Sequence, residues 1–186
     1  IMAEILALVV QVQQYKPGHP VAFSAFNPAM DMRTGLWATG NPEFGTVGAG
    51  ISAMGNHYSI PCMGFGMSDA CDTDQQSGYE KALKMYTYAL GGLSYIWDIG
   101  GLAGFNYVSW PQMVIDNEIA AFVGHYLKGI VVDEERLAVD EIIKVGPLPG
   151  SYMKERHTRD WYRKEFFMPE LSNRDNFETW ERGHVD

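Results

Sequence analysis

Ser59-Ile60-Pro61-Cys62-Met63-Gly64-Phe65-Gly66-Met67-Ser68-Asp69 reads as a short buried strand closed by a polar turn, and a helix follows within residues 72–90. Turn residues lead into the apolar run 62–67, and Ser68-Asp69 breaks it. Thr73 and Gln76 have the spacing of a capping box for a helix over residues 75–90. In a parallel α/β sheet the carboxyl end of such a strand is where chemistry is usually placed. This makes Met67, Ser68 and Asp69 candidate pocket residues.

The same grammar repeats on either side. Upstream, Ile5, Leu8, Val9 and Val12 recur at helical spacing, and Lys16-Pro17-Gly18-His19-Pro20 stops that helix. A strand over 21–26 and a polar loop over 27–40 follow. Asn41-Pro42-Glu43 then supplies an N-cap, a first-turn proline and an acid at the positive helix end. The helix it opens runs to about Tyr58, and its glycines and alanines suit close packing against a sheet. Downstream come a strand over 93–98, the run Gly100-Gly101-Leu102-Ala103-Gly104, and a helix over 109–128. Ser109 and Gln112 form a second capping-box pair there, and Ile115, Ile119, Phe122, Val123 and Tyr126 make an apolar face. Beyond Gly129, Asp133 caps a helix ending at Gly146-Pro147, and residues 151–186 read as short charged and aromatic helices. Three strands, each followed by a helix, imply right-handed parallel β/α units, an α/β fold.

Composition narrows the function classes. Across 186 residues the chain is 46% hydrophobic and 13% aromatic, which excludes disordered and fibrous classes. A net charge of −9 argues against nucleic acid as a partner, because a phosphate footprint needs clustered Lys and Arg. Two cysteines, Cys62 and Cys71, are too few for a disulfide scaffold, so the reduced cytoplasm is the expected compartment. The apolar run 5–10 is too short to span a bilayer and lacks the features of a signal peptide, so no membrane association is expected. His19, His57, His125, His157 and His184 show neither HxxxH spacing nor neighbouring acids, and no protein metal site is expected. The opening residue and the absence of an N-cap before the first helix lead us to expect a carboxyl-terminal piece of a longer protein.

Gly66-Met67-Ser68-Asp69 with Asp72, Gln76, Gly78, Glu80 and Lys81 resembles the most characteristic segment of the trimethylamine methyltransferase family. The resemblance continues through Asp31-Met32-Arg33-Thr34-Gly35, Asn41-Pro42-Glu43, Val114-Ile115-Asp116-Asn117, Gly129-Ile130, Glu134-Glu135, Leu137-Ala138-Val139 and Lys144-Val145-Gly146. It implies a (β/α)8 TIM barrel that passes a methyl group from a small methylated amine to the cob(I)alamin of a separate, cognate corrinoid protein. Such a barrel takes roughly 250 residues. Residues 1–130 would then be its last three β/α units and residues 131–186 a carboxyl-terminal helical extension. Trimethylamine-specific members carry pyrrolysine between the glycine and the Ser-Asp pair, whereas this chain has Met67. It is therefore similar to the non-pyrrolysine branch, whose members demethylate quaternary amines such as betaines. Ala103 stands near where trimethylamine members are expected to carry glutamate, a further departure. The corrinoid would be carried by the partner as cob(I)alamin or methylcob(III)alamin, with none bound permanently, and self-association is left open.

Such chemistry asks the protein to position rather than to react. A methylated cation is best held by aromatic faces, so Phe26, Phe65, Tyr95 and Trp97 at the strand ends are candidate substrate-binding residues, against the competing reading of core packing. Met67 can line a pocket but can neither form an adduct nor give a proton. Ser68 and Asp69 either satisfy turn backbone or hold substrate. Asp98 ends a buried strand, where a carboxylate is costly unless useful or paired, either toward a cationic amine or with Arg33. Arg33 could receive a betaine carboxylate or bridge to Asp31 within its loop, the reading we favour.

Two rivals stand beside the methyltransferase. One is a barrel lyase or aldolase, which the seven lysines disfavour because all of them map to helices or their ends, away from strand termini. The glycine-rich run 100–104 is a weak phosphate signal. The other is a non-catalytic module that binds quaternary amines, which no residue excludes.

Overall fold

A computed structural model describes residues 1–147 and 149–183, so that His184, among the histidines weighed above, lies outside the described residues. The chain divides into two compact units, Ile1–Leu127 and Lys128–Asp186.

In the first unit, helix α1 (Met2–Tyr15) stops as expected. Gly18 adopts φ +78, and the Gln13 side chain accepts from Gly18 N at 2.8 Å and donates to His19 O at 2.7 Å, stapling the turn. The expected strand over 21–26 contracts to a single parallel bridge between Phe23 and Cys62. Phe23 N donates to Pro61 O and Met63 N donates to Phe23 O, but among the described residues the other edge of 21–26 has no strand beside it, and Pro20 and Pro28 bracket the segment. The expected strands over 62–67 and 93–98 narrow to β3 (Met63–Phe65) and β4 (Tyr95–Trp97), which pair parallel with Phe65 opposite Trp97. Three parallel segments thus lie side by side in chain order.

Two antiparallel hairpins were not expected. β1 (Ala29–Met30) pairs with β2 (Trp37–Ala38) in the loop after the first segment. β5 (Gly101–Leu102) pairs with β6 (Tyr107–Val108) after β4, with a 3-10 turn over Ala103–Phe105 between them. Both fold back at the carboxyl ends of the parallel segments, where they add rings to the neighbourhood.

Helix α2 (Pro42–His57) lies against α3 (Gln75–Leu90), and α3 against α4 (Trp110–Leu127). The glycines of α2 permit that approach: a Cβ on Gly48 would stand 2.1 Å from the Tyr88 ring, and one on Gly45 would touch Lys84 and Thr87. α3 begins at Gln75 as the sequence pattern suggests, but Asp74 and Ser77, one residue on from the expected pair, form the capping box. A carboxylate caps better than the Thr73 hydroxyl, which meets Ser109 Oγ at 3.0 Å, while Gln76 donates to Glu80 at 2.7 Å. On α4, Ser109 Oγ accepts from Gln112 N, but the Gln112 side chain turns to Ser77 and Asp116 rather than back to the cap. The buried stripe of α4 is Gln112, Asp116 and Val123, whereas Phe122 and Tyr126 of the expected apolar face are exposed. Helix phase here follows a buried charge on α3, described below.

Ile5, Phe23, Ile51 and Cys62 form one apolar cluster, between the helices and the parallel segments. Phe44, Phe65 and Met67 form a second, with Met63 packed against it.

In the second unit the helix expected from Asp133 to Gly146 is broken. Ala138 adopts φ +50, separating α5 (Glu134–Leu137) from α6 (Val139–Val145). α7 (Arg156–Glu165) and α8 (Phe177–Arg182) follow. The Arg136 guanidinium lies 4.5 Å from the Trp161 ring centre and its Nε donates to Glu165 at 2.8 Å. Among the described residues, no helix is long and apolar enough to cross a membrane.

Candidate active site at the ends of the parallel strands

A continuous row of rings runs across the ends of the parallel segments. Strand alternation puts Met63, Phe65 and Met67 on one face of β3, and the register brings Tyr95 and Trp97 beside Met63 and Phe65. Phe65 meets Phe26 edge-on at 5.4 Å between ring centres and Trp97 at 5.7 Å. The row extends through Phe26 to Trp37 at 4.9 Å and through Trp97 to Phe105 at 5.5 Å, with Phe44 packed behind Phe26 and Phe65. Trp37, Trp97 and Phe105 are 61%, 49% and 51% exposed, so ring faces stand open at the mouth. Phe26, Phe65 and Trp97 are thus brought together as the sequence suggested. Tyr95 shares their face and is also exposed.

The sequence reading missed Trp37, Phe44 and Phe105. The turn signature Asp31 to Gly35, with its left-handed glycine, could have placed Trp37 on a hairpin returning to the site. Phe105 follows the glycine run of the third loop, where no period marks it.

Behind the rings lies a polar layer. Asp69 does not reach toward the rings: its Oδ1 accepts from Thr39 N at 2.9 Å and Thr39 Oγ1 at 2.5 Å, and its Oδ2 accepts from Gly40 N at 2.7 Å. Ser68, fully buried, donates to Glu80 Oε2 at 2.6 Å, and Asp69 N donates to the same oxygen at 2.9 Å. Ser68 and Asp69 therefore serve turn and loop backbone, pinning the first hairpin to the end of β3. Met67 is 1% exposed and packed with Phe44 and Phe65. Arg33 grips Asp31 through Nη2 at 2.8 Å and Nε at 3.2 Å, which holds the Asp31 carboxyl down at about 2. The intraloop pair is thus formed, and Asp98 does not pair with Arg33.

The placement of the lysines corrects the sequence reading. Lys81 and Lys84 start on α3, yet their ammoniums reach the end of β3: Lys81 Nζ donates to Gly66 O at 2.8 Å and Lys84 Nζ to Met67 O at 2.5 Å. A lysine side chain spans the gap between helix and strand, so its Cα position says little about where its charge sits. Lys81 also pairs with buried Asp116 at 2.9 Å, and Asp116 accepts from Gly100 N and Gln112. Lys84 lies 5.2 Å from the Phe44 ring centre. Burial drives its ammonium down to about 8, against the pull of Asp69 and Glu80.

Asp98 follows Trp97 with φ +65, and its carboxylate sits so close to Gly101 that a Cβ there would fall 2.3 Å from an oxygen. Oδ2 is buried without a hydrogen-bond partner among the described residues. Burial pushes its carboxyl up to about 6, against the ammoniums of Lys81 and Lys84. Outside the rings, a cleft of about 720 Å³ opens along the two hairpins, lined by Trp37, Asn41, Asp69, Tyr79, Glu80 and Asn106 among others.

The parallel segments, each followed by a helix, carry open aromatic faces at their carboxyl ends, a place where ligand sites are commonly built. The chain belongs to the trimethylamine methyltransferase (MTTB) family, whose model matches residues 1–186. It is 34% identical over 186 residues to glycine betaine methyltransferase of Desulfitobacterium hafniense (strain Y51), covering 99% of this chain and 39% of that protein. It is 35% identical over 158 residues to trimethylamine methyltransferase MttB of Methanosarcina barkeri (strain Fusaro), covering 84% of this chain and 32% of the relative. The MttB of Desulfitobacterium hafniense (strain DCB-2) is 32% identical over 178 residues, 95% of this chain and 36% of the relative. The chain therefore spans 32% to 39% of the length of these relatives.

Proposed function

We propose that this chain is the carboxyl-terminal part of a (β/α)8 barrel methyltransferase that moves a methyl group from a quaternary amine to the cob(I)alamin of a separate corrinoid protein. The observation that carries the reading is the row Trp37, Phe26, Phe65, Trp97 and Phe105, in which Trp37, Trp97 and Phe105 keep open faces that suit a methylated cation at ~0.5–2 kcal/mol per face. Likeness to a glycine betaine methyltransferase and the thioether at Met67 support a quaternary donor over trimethylamine.

The residues present fit a visiting cofactor, because the exposed rings leave the mouth open and nothing in the reaction asks this chain for a cobalt ligand. The corrinoid, when bound, supplies the nucleophile that takes the methyl carbon while the C–N electron pair stays on the departing tertiary amine. This chain's part is orientation. Trp97, Phe26 and the exposed hairpin rings hold the donor, Phe65, Phe44 and Met67 back them, and Asp69 fixes the hairpin that carries Trp37. Holding the donor in line converts a bimolecular encounter into an oriented one. The imine rival gains a lysine at a strand end, but Lys84 is 3% exposed and its nitrogen is engaged by Met67 O, so no substrate carbonyl reaches it.

The test is to mix the complete protein with cob(I)alamin and a panel of methylated amines. Cob(I)alamin absorption should decay with stoichiometric release of the demethylated amine. Trp97→Ala should raise KM roughly three- to thirtyfold. Binding without decay for every amine would replace the enzyme with a binding module.

A further inference from the structure

We propose that Lys84 is a specificity-determining residue, a buried ammonium one ring behind the aromatic row that opposes a cationic donor when charged and admits it when neutral. The inference rests on the quaternary-amine reading above and deepens it.

The geometry is specific. The Lys84 stem packs on Gly45 of α2, its Nζ stands 5.2 Å from the Phe44 ring centre, and Phe44 packs on Phe26 and Phe65, 5.6 and 6.2 Å away. A positive charge already lies behind the rings that would hold a second one. The groups facing it are Glu80 and Lys81 from α3, Asp69 from the turn after β3, and Asp98 from the end of β4, while α2 gives the Phe44 ring. Asp116 of α4 is taken up by Lys81.

Deprotonation leaves the structure intact, because a neutral amine still donates one hydrogen to Met67 O. What changes is the potential at the rings. Since burial brings this ammonium to about 8, its charge is lost just above neutrality, while Asp98, at about 6, stays ionised throughout that range. The affinity for a methylated cation then rises with pH, by roughly tenfold for unit charges at this kind of separation in a protein interior. A neutral ligand of the same shape feels no such change.

The experiment measures binding of choline and of its uncharged carbon isostere, 3,3-dimethylbutan-1-ol, to the complete protein between pH 7 and 9. Choline should tighten roughly tenfold, and the isostere should stay level. In Lys84→Met, choline should bind at pH 7 as tightly as it does to the wild type at pH 9, with no slope. A folded Lys84→Met protein that keeps the wild-type slope overturns the proposal. Should that variant fail to fold, the wild-type ligand pair decides: a slope for choline alone supports the proposal, and parallel behaviour of the two ligands overturns it. Failure of every methylated cation to bind at any pH has a different signature, since it removes the quaternary-amine reading itself and the inference with it.

Discussion

Lys81 Nζ and Asp116 Oδ2 lie 2.9 Å apart with both side chains fully removed from solvent, joining α3 to α4 beneath the end of β3. Breaking such a pair leaves an unpaired buried charge and costs about 3–5 kcal/mol, whereas removing both partners spares that charge. Asp116→Ala should therefore lower the midpoint of urea unfolding sharply. Lys81→Met combined with Asp116→Leu should cost less than the sum of the single changes, by more than about 1 kcal/mol in a double-mutant cycle. Strict additivity would show that the two charges are not coupled.

Asp69 holds three donors of the Thr39-Gly40 backbone and side chain. Asp69→Asn turns an amide N–H toward a donor on one side, so it should destabilise by about 1–3 kcal/mol. The Trp37 ring rides on the same hairpin, so kcat/KM should fall with stability. Thr39→Val, which removes one hydroxyl, should do less of both. Calorimetry and steady-state rates on the two variants check the order.

Two glycines of α2 should respond with opposite signs. Gly48→Ala drives a methyl into the Tyr88 ring and should lower Tm despite alanine's better helix propensity. Gly50 faces open space in the same helix, so Gly50→Ala should stabilise by about 0.5–1 kcal/mol. Thermal melts of the pair settle whether close approach or composition explains the glycines.

Asp98 gives a stability that depends on pH. Its folded carboxyl titrates near 6, above its ordinary value of 3.8, so the folded state binds the proton more tightly than the unfolded chain. The stabilisation this confers is complete below about pH 4 and lost as pH rises through 6. The group is half-buried, so solvent screening cuts the effect to about 1 kcal/mol. Asp98→Asn should flatten the stability profile between pH 4 and 6 and raise stability at pH 7. A profile unchanged by the substitution would remove Asp98 from this role.

The helices were legible because caps and apolar spacing are local. Asn41-Pro42-Glu43 opened α2 where the pattern put it, and α3 started within a residue of its expected cap. Strand lengths were not, because ladder pairing depends on neighbours that one sequence window does not contain: Phe23 alone bridges where six residues were expected. At the site, Phe26, Phe65 and Trp97 were picked as aromatics at expected strand ends, and their rings meet. Trp37 and Phe105 did not, since hairpins in irregular loops bring them back. Asp116 lay on the wrong face of the expected α4 because an apolar count ignores a buried ion pair. The reach of Lys81 and Lys84 escaped for a related reason, the length of their own side chains.

That the carbonyls just past β3 hang from two ammoniums of the following helix has a consequence for position 67. The main chain there is tethered from behind, by Lys81 at Gly66 and Lys84 at Met67, whatever side chain it carries forward. The scaffold thus offers a socket whose backbone anchors come from α3 and not from the side chain at position 67. A substitution at 67 then changes what the strand end presents without loosening its tether to α3.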